Sequence, residues 1–91
     1  NFLSAYQNKY LQNASLALRS GLYEEALLHI NDSKKIDPIN PEIYKIEGLL
    51  HEALGNRKEA IQAWENCLKH SKKRRELVKE SKNHLKNLLI D

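Results

Sequence analysis

Apolar residues along this chain recur three and four positions apart, in runs that glycine or proline interrupts at a few points. That spacing marks one face of a helix. A first helix is predicted from about Leu3 to Ser20, with Tyr6, Tyr10, Ala14, Ala17 and Leu18 along one side. Gly21 ends it, since glycine takes the left-handed backbone that closes a helix without a side-chain clash. A second is predicted from about Tyr23 to Ile36, burying Ala26, Leu27, Ile30 and Ser33. Asp37-Pro38 stops it, because proline disfavours helical geometry in the residue before it.

A strong start signal follows. Asn40 can cap free amides, and Pro41 suits the first helical position, where its missing N–H is no loss. The third helix is predicted to run to Leu54 and end at Gly55. Asn56 and Glu59 then form a capping-box-like pair that predicts the start of a fourth, with Ala60, Ile61, Trp64, Cys67 and Leu68 on its buried side. From Lys73 to Ile90, Leu77, Val78, Ser81, Leu85, Leu88 and Leu89 line one side of a fifth, amphipathic helix.

The chain also repeats itself. An offset of 34 superposes Tyr10 on Tyr44, Leu16 on Leu50, Gly21 on Gly55, Glu25 on Glu59, Ala26 on Ala60 and Lys35 on Lys69. Ala14 meets Gly48, Leu27 meets Ile61, and Ile30 meets Trp64. Beyond Ser71 the match fails, with Lys72 in place of Pro38, Lys82 in place of Gly48 and Leu89 in place of Gly55. The prediction is therefore two helical hairpins and a closing helix that covers the apolar face of the second. Small Ala26 and Ala60 mark where the helices of each hairpin cross closely, with Ala14 and Gly48 as the complementary gap.

Length and composition narrow the class. Ninety-one residues suit one domain with one continuous core. No apolar run approaches the ~18 residues of a membrane span, so no membrane insertion is expected, and no segment reads as a signal peptide. Asn1 opens the chain where a methionine would, which fits either a processed form or one piece of a longer protein. Cys67 is the sole cysteine, so no internal disulfide can form and a reducing, cytoplasmic compartment is preferred.

The residues offer no constellation for catalysis. His29, His51, His70 and His84 lie on different predicted helices, and no pair stands at metal-ligand spacing beside a third ligand. His29 and Ser33 are one turn apart, but nothing supplies an oxyanion hole. There is no glycine-rich phosphate loop. Cys67 falls on a core side, where a packed thiol is inert. The expectation is a protein with no catalytic residue, no metal site and no cofactor.

The aromatic Tyr10 and Tyr44, small Ala14 and Gly48, turn glycines Gly21 and Gly55, and small Ala26 and Ala60 form one pattern. Ile30 and Trp64, Ser33 and Cys67, and Asp37-Pro38 complete it. Over Gln7 to about Ser71 this pattern resembles the tetratricopeptide repeat, whose unit is a 34-residue helix-turn-helix. The resemblance implies an all-α right-handed superhelical stack of two antiparallel helix-turn-helix repeats, about 7–40 and 41–72, with a capping helix at about 73–90. It also implies a non-catalytic adaptor or scaffold that binds a peptide or helix of another protein in a concave groove.

In that family the first helices of successive hairpins line the groove. The matching positions are Asn8, Leu11, Gln12, Ser15, Leu18 and Arg19, then Glu42, Lys45, Ile46, Leu49, Glu52 and Ala53. Leu11, Leu18, Ile46 and Leu49 would face solvent in an empty groove, as at an interaction site, or be covered by the closing helix or a neighbouring segment. One subfamily grips carboxylate-ended chaperone tails with lysine and asparagine side chains. Leu11, Ser15 and Ile46 stand at those positions, so that ligand is excluded.

Two alternatives stand beside the groove. The net charge is +3, from 15 basic and 12 acidic residues, too small by itself to imply nucleic acid. The densest stretch holds Lys69, His70, Lys72, Lys73, Arg74 and Arg75. It reads either as a solvated helix end or as a docking spot for an acidic partner or polyanion, although no aromatic is interleaved for base stacking. The other alternative, ranked ahead of it, is self-association through the first helix, whose Phe2, Leu3 and Tyr6 ahead of the repeat otherwise pack on their own hairpin or on a preceding segment.

Overall fold

The computed structural model describes the backbone from Phe2 to Ile90 and the side chains from Lys9 to Ile90. The described chain is all-helical: α1 (Phe2–Arg19), α2 (Tyr23–Ile36), α3 (Pro41–Leu54), α4 (Arg57–Ser71) and α5 (Arg75–Leu88). Phe2, Leu3, Tyr6 and Asn8 lie on α1, but their side chains fall outside the described residues. No helix among the described residues is long and apolar enough to cross a membrane.

The two glycine stops close their helices in the same way. Gly21 and Gly55 take left-handed backbone angles, φ 76° and 74°. After α1, Gly21 N–H donates to Leu18 O at 3.1 Å and Leu22 N–H to Ala17 O at 2.8 Å. After α3, Gly55 N–H donates to Glu52 O at 3.1 Å and Asn56 N–H to His51 O at 2.8 Å. This paired closure satisfies carbonyls that a helix end would leave open. Both helices therefore turn into their partners with one geometry.

The start signals divide. Asn40 Oδ1 accepts from Glu42 N–H at 3.0 Å, with Pro41 at the first helical position. The capping box predicted at Asn56 and Glu59 does not form, because Asn56 makes no side-chain cap bond to α4. Its amide turns back toward the end of α3, 3.3 Å from His51 Nδ1.

The fifth helix is shorter than its hydrophobic pattern. Lys72 reverses the chain with φ 47°, rare for a residue with a side chain, and the helix begins only at Arg75. At the other end Arg57, which opens α4, donates to Leu88 O at 2.6 Å and Ile90 O at 3.0 Å. So α5 runs out where α4 begins. Leu89, predicted on the apolar side of the helix, falls just past its last residue and is exposed.

The helices pack as hairpins, α1 on α2 and α3 on α4, with α5 against α4, while α3 also touches α2 and α1. The overall extents are 42 × 31 × 18 Å. The shortest is about two helix diameters, so the helices lie in two layers. Ala14, Ala17, Ala26, Ile30, Ile43 and Leu50 form one buried cluster that fastens the first hairpin to α3. Tyr44, Trp64 and Cys67 form another, covered by Leu49, Leu85 and Leu88, which fastens α5. The gap predicted at Gly48 exists, and what fills it is the indole of Trp64 on α4.

Candidate functional site

Side by side, α1 and α3 enclose a groove of about 370 Å³. Leu11, Gln12, Ser15, Leu18 and Arg19 line it from α1, and Glu42, Lys45, Ile46 and Leu49 from α3. The local reason is the helical register. Residues three and four apart share a face, so each helix sends one stripe inward to the core and a neighbouring stripe into the groove. Leu11, Leu18 and Ile46 pack their inner flanks on the first core cluster, and Leu49 on the second. All four are half-buried, with α5 contributing nothing to the lining. The floor is apolar and held by the core beneath it.

The rim is charged and tied to the closing helix. Lys45 Nζ pairs with Glu80 Oε1 on α5 at 3.1 Å. Glu42 Oε1 lies 3.8 Å from Arg74 in the α4–α5 loop. Arg19 is exposed at the end of α1. Lys69, Lys72, Lys73 and Arg75 are also exposed, and none forms an ion pair among the described residues.

Two of the positions that the repeat register assigns to the groove lie elsewhere. Ala53 is exposed near the end of α3, away from the lining. Glu52 faces α4 and α5, where its Oε2 accepts from Trp64 Nε1 at 2.6 Å and lies 2.7 Å from His84 Nδ1. The His84 ring stacks on the Trp64 indole, with centroids 4.1 Å apart and planes 15° from parallel. This cluster joins three helices. Residues 12 and 32 positions from Glu52 meet there, and the one hint in the sequence is that a buried indole N–H needs an acceptor.

Each of the other histidines also has a partner. His29 lies beside Tyr10 at 6.5 Å, His70 stacks on Tyr44 at 5.6 Å, and His51 meets Asn56. Among the described residues no group of three His, Cys, Asp or Glu is placed to hold a metal ion. Cys67 is buried, and the neighbouring Ser71 hydroxyl donates to its carbonyl at 2.5 Å.

The open face of the first hairpin is a further feature, legible through the 34-residue register. Asn13, Leu16, Ser20, Leu22, Glu25 and His29 line a shallow depression there. Their counterparts in the second hairpin are Glu47, Leu50, Leu54, Asn56, Glu59 and Ala63. Leu50 is 0% exposed beneath the first hairpin, whereas Leu16 is 54% exposed.

Comparison of the chain with protein-family models, with curated proteins and with solved structures finds no match.

Proposed function

We propose that this chain is a non-catalytic protein-interaction module of the tetratricopeptide type, which holds a peptide or helix of another protein in the α1–α3 groove. The observation that carries the reading is the convergence of Leu11, Leu18, Ile46 and Leu49 on one groove with a polar rim. A helix laid in such a groove presents apolar residues at helical spacing to the floor and polar ones to the rim. The matched closures at Gly21 and Gly55, 34 positions apart, support the repeat assignment.

The test is a titration of isotope-labelled protein with a synthetic amphipathic peptide, leucines at helical spacing among glutamines, followed by amide chemical shifts. Shifts are expected at the groove residues of α1 and α3. Ser15→Arg, which fills the groove without touching the core clusters, should abolish them, and Leu49→Glu should do the same if its circular dichroism stays helical. Shifts unchanged in Ser15→Arg, or confined to other surfaces, would sink the reading.

A second reading rests on a separate observation. The second hairpin buries its Leu50 face under another hairpin, and the first hairpin has an equivalent face with Leu16 open. A second copy stacking there would bury the same kind of surface, which makes self-association the alternative role.

A further inference from the structure

The contact between Arg74 and Glu42 places the basic loop at one end of the groove. Glu42 lines the groove at the start of α3, and Arg74 reaches it from the turn between α4 and α5. Lys72, Lys73 and Arg75 flank Arg74 in the chain and are exposed. Arg19 and Lys45 add cations from within the lining itself. Against these stand Glu42, Glu76 and Glu80, of which Glu42 already faces Arg74 and Glu80 already pairs with Lys45. Arg19, Lys72, Lys73 and Arg75 form no ion pair among the described residues. Arg19 thus stands in the groove lining, and the loop that carries Lys72, Lys73 and Arg75 meets the groove through Arg74.

From this juxtaposition we infer that the groove's partner is an acidic amphipathic protein segment, its apolar stripe on Leu11, Leu18, Ile46 and Leu49 and its carboxylates against Arg19 and residues 72–75. The inference rests on the groove reading above and adds the partner's charge. Oppositely charged rims speed encounter and exclude wrong partners, because like charges brought together are costly. The apolar floor argues for a protein over a nucleic acid, since the basic loop carries no aromatic side chain on which a base could stack. Exposed cations are screened by salt, so the charge-dependent part of the affinity should fall as ionic strength rises.

Four dye-labelled peptides test this by fluorescence anisotropy. Three share one leucine stripe and differ in filling residue, being glutamate, glutamine or lysine, and the fourth keeps the glutamates but replaces leucine with serine. The glutamate–leucine peptide should bind at least about tenfold more tightly than the lysine and serine versions, a difference of about 1.4 kcal/mol each. Lys73→Glu with Arg75→Glu should weaken the glutamate–leucine peptide and leave the glutamine version unchanged. Equal binding of the three leucine peptides overturns the charge inference and leaves the groove reading standing. Failure of all three to bind overturns the groove reading itself. Equal binding of the serine peptide and the glutamate–leucine peptide shows the basic loop acting alone as a polyanion site, which also overturns the inference.

Discussion

The space that Gly48 leaves on α3 is occupied by the indole of Trp64: a Cβ at position 48 would lie 2.6 Å from Trp64 Nε1 and 2.7 Å from Cε2. The indole cannot readily give way, because it is fully buried and its N–H is bound to Glu52. The same positions in the first hairpin hold Ala14 and Ile30, a larger residue facing a smaller one. Each hairpin divides one crossing volume differently.

That division predicts a change of sign. Gly48→Ala gains about 1 kcal/mol of helix propensity but overpacks the crossing by about 1–3 kcal/mol. It should therefore destabilise the parent by up to about 2 kcal/mol. In a Trp64→Ile background, which copies the first hairpin, Gly48→Ala should stabilise. Urea denaturation of the four proteins checks this, and an effect of the same sign in both backgrounds would contradict the packing described.

Glu52 is expected to matter for the attachment of α5 more than for ligand binding. Glu52→Ala leaves the Trp64 N–H buried without an acceptor and should cost about 1–3 kcal/mol. Glu52→Gln keeps a carbonyl oxygen for the indole and should cost less. Trp64 is the sole tryptophan, so its fluorescence reports the site directly. Identical melting curves and emission for the parent and Glu52→Ala would show that the cluster contributes nothing.

Ser81 should be improvable. Its Oγ is buried in α5 with no hydrogen-bond partner among the described residues. Ser81→Ala removes a buried polar group that gains nothing and raises helix propensity, so stability should rise by about 1 kcal/mol. Ser71→Ala is the contrast, because it deletes the bond to Cys67 O and should not stabilise. A lower melting temperature for Ser81→Ala would mean that the hydroxyl is satisfied in solution.

If the first hairpin's open face takes up a second copy, sedimentation at rising concentration should show dimers that Leu16→Lys removes. The monomer's stability should change by no more than about 0.5 kcal/mol, since Leu16 is 54% exposed. A strictly monomeric profile at high concentration would end this reading.

The sequence by itself determined the helices and their ends where the signal is local. Gly21, Gly55 and the Asn40-Pro41 pair act within a few residues through backbone angle and one hydrogen bond, so their effect is written beside them. The groove positions came from the resemblance to the repeat family, and periodicity added only that residues which share a helical face do so whatever they pack on. Tertiary structure decided the rest. Asn56 abandoned its cap for His51, α5 ended at Leu88 and left Leu89 exposed, and Glu52 left the groove for Trp64 and His84. The basic loop reached the groove only through Arg74 and Glu42, which stand 32 residues apart in the chain. Each of these depends on which side chains the packed helices bring within a few ångströms, and a local pattern carries no such distance.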